Sequence, residues 1–367
     1  MLPEMRYIEN ELLPMLREKA PRFQSNAQKQ LAQWKGQKGI CSLLLSVSHV
    51  PETALLPDYD LYEIHYDPEK MFVKELKNAL TTAMAEGDAV PSVRANVGCG
   101  ALCTLYGGLS QSFFSDKMPW LLKHLTLEQL EELTVENLEE SPEFKAGLDQ
   151  MRFMKEMLEG TGIEIYPMDL QGPIDMAHLL MGDEFFYALY DDPDLVHKVL
   201  ELSLAAEIYG MEKCFEIIAP RDYVCHYNNL VLPADKPLKI SEDTSTLLCE
   251  NHLLEYMKPY TERLLSHFNG GYIHYCGDNK HLLQLVPTLS HNIGLNFGNP
   301  ERHDPKMVLD MLAEKGLYYY GAFPQLSTIE TAKLSLRDDG HFNCFITASC
   351  RMEEQDRFIE EFNHSIF

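Results

Sequence analysis

The chain has 367 residues, 45% hydrophobic and 24% charged, which is typical of a globular protein with a sizeable core. Its 56 acidic and 31 basic residues give a formal net charge of -25, which disfavours binding to nucleic acid or to an anionic membrane surface. Nine cysteines without regular close spacing argue against a disulfide-stapled secreted domain, and a charged N-terminus without an apolar signal or spanning segment leads us to expect a cytoplasmic protein.

The predicted elements begin with a helix over residues 4–34, broken near Pro21. No linker or repeat interrupts the sequence, so we expect a single domain, 1–367, with residues 1–36 as its helical extension. After the extension, short apolar runs typical of strands buried on both faces alternate with longer helical stretches. The predicted strands are 39–48, 91–98, 163–170, 222–230, 270–276, 292–298, 316–323 and 342–347.

Capping residues predict where several intervening helices begin. Asp192 and Asp304 each precede a proline, a pairing typical of a first helical turn, and further helices are predicted at 250–268 and 352–362. Eight strands, most of them followed by a helix, predict a (β/α)8 TIM barrel. A doubly wound open sheet is the alternative, but the glycine-rich motif that would favour it does not follow the first strand.

A (β/α)8 barrel carries its functional side chains at the C-terminal ends of its strands. The fifth predicted strand ends with His274 and Cys276, which would face the same side because alternate residues of a strand do so. Imidazole and thiolate are both ligands that suit zinc. Cys350, after the eighth strand, would lie at the same end of the barrel and complete a metal site, whereas Cys344 is assigned to packing. Packing as small buried hydrophobes is the alternative for the two cysteines of the proposed site as well.

Other polar residues near predicted strand ends are candidates for the site, and each has a structural alternative. Asp243 and Glu242 would act as proton carriers or would support a ligand, or would cap the following helix. The guanidinium of Arg94 suits a substrate carboxylate, or a structural ion pair. The remaining substrate-binding candidates are Gln171, His226 and Asn228. A role in a turn is the alternative for Gln171, and a buried core position is the alternative for His226.

Three segments of the chain together resemble the uroporphyrinogen decarboxylase-like superfamily. They are the Gly-Pro segment 172–201, the acidic-pair segment 240–265, and the segment 270–286 around the fifth predicted strand. The resemblance covers the chain from about residue 90 to its end, in the same order. Since that superfamily has a (β/α)8 barrel, the resemblance implies the fold that the strand count also predicts.

Two branches of the superfamily differ in their motifs. The decarboxylases carry an N-terminal arginine-rich motif, and the corresponding segment here, 24–45, contains no arginine. The methyltransferases that work with corrinoid proteins bind zinc through His-x-Cys and a later, glycine-flanked cysteine. The match implies the ligands His274, Cys276 and Cys350, although the last of these is flanked by Ser349 and Arg351 instead of glycine.

The resemblance implies a zinc-dependent methyltransferase that moves a methyl group between a corrinoid (cobalamin) protein and a small substrate. The substrate would be a thiol acceptor or a donor of the methoxy or methylamine type, and the partner protein would supply the cobalamin. A metal-free decarboxylase acting on a carboxylated substrate is the first alternative. A non-catalytic protein that binds a corrinoid or another ligand is the second, and neither nucleic acid nor a membrane is expected as a partner.

Overall fold

The computed structural model describes residues 2–169 and 171–367, so residue 1 of the predicted extension and residue 170 of the third predicted strand lie outside the described chain. It shows a mixed α/β protein with a mostly parallel central sheet, which confirms the predicted class. In chain order the strands are β1 Leu43–Ser48, β2 Ser92–Val93, β3 Gln111–Ser112, β4 Trp120–Leu121, β5 Glu164–Ile165, β6 Tyr223–His226, β7 Leu230–Pro233, β8 Leu238–Ser241, β9 Gly271–Tyr275, β10 Asn292–Phe297, β11 Tyr318–Gly321 and β12 Cys344–Arg351.

Six parallel strands form the central sheet in the order β1-β12-β11-β10-β9-β8. The first strand pairs with the last, from Leu43 opposite Ile346 to Ser48 opposite Arg351. Strands β2 and β5 form a separate parallel pair, and β3–β4 and β6–β7 are antiparallel pairs. Within the described residues no strand ladder joins the β2–β5 pair to the six-stranded sheet, so the paired strands do not close into a barrel.

The predicted parallel strand over 222–230 is wrong. The chain reverses at Tyr227 and Asn228, whose φ angles are 53° and 63°, and β6 returns as β7 in a hairpin outside the central sheet. Successive left-handed residues cannot continue a strand, and Asn tolerates that conformation better than most residues. The sheet position goes to β8, a four-residue strand that contains Lys239 and therefore lacks a continuous apolar pattern.

The α-helices of eight or more residues are Leu13–Trp34, Pro68–Ala83, Pro142–Met157, Pro173–Met181, Glu184–Asp191, Pro193–Ile218, Lys258–His267, Pro305–Glu314, Thr328–Ser335 and Gln355–Ile366. Shorter helical segments are Pro3–Tyr7, Ile8–Leu12, Pro51–Thr53, Leu61–Tyr66, Leu102–Leu105, Leu127–Glu132, Val135–Asn137, Thr244–Leu247, Glu250–His252, Leu253–Met257, Lys280–Leu285, Val286–Thr288, Pro300–Arg302 and Met352–Glu354. Across residues 2–169 and 171–367, every helix is too short or too polar to span a lipid bilayer.

Helix starts follow the predicted caps, but the predicted break near Pro21 is wrong. Asp192 and Asp304 accept hydrogen bonds from backbone amides of the first turn, as expected of capping acids. Pro21 lies inside the helix Leu13–Trp34, which continues through it. Leu16 and Phe23 are fully buried on either side, and their packing holds the two halves together despite the lost backbone hydrogen bond.

The strands of the central sheet present two faces with different partners. The inner face carries Leu44, Tyr272 and Phe345, which form a small core with the hairpin β6–β7. The outer face carries the intervening residues, such as Ile273 and Ile346, which pack with the helices in the main core. Because successive strand residues alternate between faces, a residue's position in its strand decides which side it reaches.

The helical extension is bound to the starts of the strands by buried hydrogen bonds. Gln33 donates through Nε2 to the carbonyls of Phe342 (3.2 Å) and Cys344 (2.8 Å) and accepts from the amide of Ser42 (2.8 Å). Gln30 likewise accepts from the amide of Val231 at 2.7 Å. Since buried backbone groups need partners, these hydrogen bonds fix the helix Leu13–Trp34 against the strands that it contacts.

Candidate metal centre

Three side chains that could hold a metal ion meet at the C-terminal end of β9. The carboxylate of Asp243, the imidazole of His274 and the thiol of Cys276 each offer an atom within 4.8 Å of the others. His274 Nε2 lies 3.6 Å from Cys276 Sγ and 4.0 Å from Asp243 Oδ1. Oxygen, nitrogen and sulfur donors of this kind suit zinc, and three protein ligands would leave one coordination position open.

The pairing of β8 with β9 explains why these residues meet. Ser241 stands opposite His274 in the ladder, so Asp243 leaves β8 beside the end of β9. Asp243 Oδ1 accepts a hydrogen bond of 2.6 Å from the backbone amide of Cys276. The chain then turns at Gly277, whose φ of 110° is a conformation that side chains other than glycine's rarely allow.

Electrostatics favour a neutral imidazole and a protonated thiol in the absence of a cation. Burial lowers the pKa of His274 below its usual value, and the nearby ammonium of Lys239 lowers it further. Burial and the carboxylate of Asp243 raise the pKa of Cys276 to about 11. A bound divalent cation would reverse the second effect by stabilising the thiolate.

Two buried acids support the turn that presents Asp243. Asp175 accepts hydrogen bonds from the backbone amides of Asp243 (3.0 Å) and Thr244 (2.5 Å), and burial together with the charge of Asp243 raises the pKa of Asp175 to about 7. Glu242 accepts from the hydroxyls of Ser245 and Thr261, both at 2.6 Å. Burial and Asp175 raise the pKa of Glu242 to about 8, so this side chain is a buried hydrogen-bonding group beneath the turn.

A cavity of about 560 Å³ opens beside the three side chains. Its wall includes inner-face residues of neighbouring strands, among them Ser241, Asn296, Tyr320 and Thr347. Binding sites for small molecules commonly have about 300–1,000 Å³, so the cavity suits a small substrate. A second cavity of about 650 Å³ lies where the helices Pro142–Met157 and Pro193–Ile218 end. Among the described residues, no three potential metal ligands converge there, so the candidate site is the smaller cavity.

A partly buried ionic network lies at the base of the cavity. Asp169 binds Lys239 at 2.9 Å and Arg94 at 3.1 Å, and Lys239 also donates to the Ser241 hydroxyl at 2.6 Å. Burial alone would raise the pKa of Asp169, but the two cations outweigh it and hold that pKa well below its usual range. Arg94 therefore occupies the structural ion pair that was its alternative role. The sequence did not predict β8, and so it did not predict Lys239 as a residue of the site. Asp169 lies near the end of the predicted strand 163–170 and could have been identified as a candidate.

Cys350 lies on the other side of its strand from the cavity. The strand β12 continues to Arg351, beyond the predicted end at 347, so Cys350 is a strand residue opposite Val47 and not part of a loop. Thr347 lines the cavity, and alternation therefore turns Cys350 to the outer face, where it packs against the main core with Ala348. The structure thus does not bring Cys350 to His274 and Cys276.

The three other substrate-binding candidates occupy different places. Gln171 lines the cavity beside Asp243 and His274. His226 is buried with Nε2 at 2.9 Å from the Pro237 carbonyl, and burial lowers its pKa to about 4, as expected of a core histidine. Asn228 sits at the hairpin turn and accepts from the Ser92 amide at 3.0 Å. Neither His226 nor Asn228 lines that cavity, and Asn296, which contacts His274, was missed.

In comparisons with known proteins, no protein-family model and no curated protein matched this chain.

Proposed function

We propose that this protein is a zinc-dependent methyltransferase that moves a methyl group between a corrinoid protein and a small substrate. The observation that carries the proposal is the meeting of Asp243, His274 and Cys276 within 4.8 Å at the edge of a cavity. The reaction class comes from the resemblance of the His-x-Cys segment and its neighbours to the corrinoid-linked branch. The proposed ligand set keeps two of the three residues in that resemblance and replaces Cys350 with Asp243.

We further propose that the parallel strands are the wall of a (β/α)8 barrel, in the cyclic order β1-β2-β5-β8-β9-β10-β11-β12. Strand pairing joins β8 to β12 and returns from β12 to β1. Single backbone hydrogen bonds cross the two remaining gaps, from Asp88 to Leu43 at 2.8 Å and from Gly172 to Ser241 at 2.7 Å. This arrangement would place the metal centre at the C-terminal ends of the strands, where such folds carry their chemistry.

The residues of the centre suit the binding of zinc and the orientation of a substrate. A zinc ion held by these three ligands would act as a Lewis acid toward the sulfur, oxygen or nitrogen atom that accepts or releases the methyl group. His274 is neutral and ready to bind through Nε2, while the Cys276 amide fixes the Asp243 carboxylate. On binding, Cys276 would release its thiol proton to solvent, since its side chain is exposed.

The cavity provides the remaining features that the proposed reaction needs. The rings of Tyr227 and Tyr320 are stacked 5.8 Å apart in its wall, and they offer an apolar surface to a small substrate. Its volume of about 560 Å³ suits the small substrate, and the cobalamin would stay with the partner protein. Lys239 is a fixed positive charge near the ligands that opposes protonation of His274.

The first test is the zinc content of protein purified without a metal-binding tag, followed by a methyl-transfer assay. We expect about one zinc per chain, and we expect methylcobalamin and a panel of small thiols to show zinc-dependent loss of the cobalt–methyl absorbance. The Cys276→Ala variant should lose both properties, whereas Cys249→Ser, which removes another exposed thiol, should keep both. A native protein that binds no zinc overturns the proposal, and turnover of a carboxylated substrate after complete chelation would favour a decarboxylase instead.

A further inference from the structure

One short segment of β10 and the following turn contacts the metal-ligating segment along its whole length. The strands β9 and β10 are parallel neighbours, with Asn296 opposite His274 and Phe297 opposite Tyr275. Residues 296–299 therefore run beside residues 274–277, which contain two of the three proposed ligands. Residues 296, 298 and 299 each contact a different atom of residues 274–277.

Asn296 determines which nitrogen of His274 is free to bind a metal. Its Nδ2 donates to the Tyr320 carbonyl at 2.6 Å, and because a carbonyl oxygen only accepts, the amide group has one possible orientation. Its Oδ1 then faces His274 Nδ1 at 2.5 Å. An amide oxygen also only accepts, so Nδ1 carries the hydrogen and Nε2, which faces Cys276 Sγ, keeps the lone pair.

The next residues hold the backbone of the neighbouring segment and leave space for its thiol. The Gly298 amide donates to the Tyr275 carbonyl at 2.9 Å, and Asn299 Oδ1 accepts from the Gly277 amide at 2.9 Å. Gly298 also leaves room for Cys276, because a Cβ at residue 298 would lie 2.3 Å from Sγ. The segment thus constrains the residues on both sides of Cys276 and leaves the space that its thiol occupies.

We propose that residues 296–299 are the positioning element of the metal centre, and that Asn296 is a positioning residue that fixes the tautomer and ring orientation of His274. The inference rests on the proposed metal site and names the residues that prepare it. A metal-ligating histidine commonly donates its other ring N–H to an acceptor that orients it, and loss of such an acceptor typically weakens metal binding about 10- to 100-fold.

Three variants on the same strand test the proposal. Asn296→Leu removes the acceptor at similar size, Asn296→Asp keeps an acceptor for Nδ1–H, and Asn292→Leu removes buried hydrogen bonds at the far end of β10. Zinc affinity would be measured by competition with a chelating dye, and ligand geometry by the visible spectrum of the cobalt(II)-loaded protein. Neither readout depends on methyl transfer, and urea unfolding of each metal-free variant reports the stability of the fold.

We expect Asn296→Leu to bind zinc about 10- to 100-fold more weakly with a changed cobalt spectrum, and Asn296→Asp to recover most of that affinity. Asn292→Leu should lose fold stability while its folded form keeps the native affinity and spectrum. Native affinity in Asn296→Leu, or equal losses in the Leu and Asp variants, overturns the inference. Absence of zinc binding in the native protein overturns the proposed function instead, so the two failures are distinguishable.

Discussion

Gly298 stands so close to Cys276 that a Cβ on residue 298 would lie 2.3 Å from the thiol sulfur. Real Cβ atoms do not approach another atom so closely, so Gly298→Ala must displace the Cys276 side chain from its present position. We expect the variant to bind zinc at least about 10-fold more weakly, with little change in the free energy of folding because the exposed Cys276 side chain can rotate away from the new methyl group. Zinc competition and urea unfolding measure the two effects.

A glycine elsewhere provides the matched control for this substitution. At Gly107 an added Cβ would meet nothing closer than the Glu139 carboxylate at 3.5 Å, which is ordinary contact. Gly107→Ala should therefore keep native zinc affinity. Native affinity in Gly298→Ala as well would show that the thiol is not held where a metal would need it.

The cysteines distinguish the ligand set that we propose from the structure from the set that the sequence predicted. Cys276→Ser should abolish stoichiometric zinc binding because it removes the one thiol in the group of three side chains. Cys350→Ser should retain about one zinc per chain, because Cys350 packs on the outer face. Elemental analysis of both purified variants decides the question, and loss of zinc in Cys350→Ser would restore Cys350 as a ligand.

The sequence could predict local geometry at the centre because it follows from strand alternation. His274 and Cys276 share a face because side chains alternate along a strand, and in the structure His274 Nε2 lies 3.6 Å from Cys276 Sγ. The position of Cys350 was predicted wrongly only because the strand was predicted to end too early. The strand β12 extends to Arg351, and a residue one position along a strand faces the helices instead of the cavity. Asn296 was beyond reach since its role depends on pairing with a neighbouring strand.

In the fold, too, the sequence predicts features that depend on nearby residues better than features that depend on distant ones. Capping acids such as Asp192 act on amides three residues away, so the sequence identifies them well. The hairpin at Tyr227 and Asn228 depends on two left-handed residues that no apolar pattern reveals. The strand β8 is held in the sheet by its neighbour β9 although it contains Lys239, whose charge is satisfied by Asp169 in the folded protein only.

Because His226 is buried, we expect the free energy of unfolding to decrease in mild acid. Burial lowers its folded-state pKa from 6.5 to about 4, so the unfolded chain takes up a proton at higher pH than the folded one. The stabilising contribution is therefore complete above about pH 6.5 and is lost as the pH falls toward 4, by about 3 kcal/mol in total. Urea unfolding across this range measures the free energy of unfolding at each pH.

The variant His226→Gln keeps a donor for the Pro237 carbonyl but does not titrate. Between pH 7 and pH 4 it should lose about 3 kcal/mol less stability than the native protein. His364→Gln, at an exposed position in the last helix, is the control and should follow the native curve. Parallel curves for native protein and His226→Gln would contradict the buried, neutral state of His226.

The ionic network at the base of the cavity should respond unequally to loss of its members. Asp169→Ala leaves the cations of Lys239 and Arg94 without their shared carboxylate. Because Asp169 and Arg94 are only partly buried, we expect a loss below the about 3–5 kcal/mol of a fully buried pair. Lys239→Met leaves Asp169 still paired with Arg94, so its loss should be smaller. Urea unfolding of the two variants ranks them, and a larger loss in Lys239→Met would show that Arg94 does not compensate.

The ladder between β1 and β12 joins segments about 300 residues apart, with Leu43 opposite Ile346. At about 5–20 residues per second, a ribosome needs roughly 15–60 s to make the intervening chain. During that time β1, with its apolar sequence Leu-Leu-Leu-Ser-Val-Ser, has an open edge, which is a template for association with other chains. The nascent chain is therefore most prone to aggregation before its last strand leaves the ribosome. A chaperone that shields residues 43–48 would act in that interval.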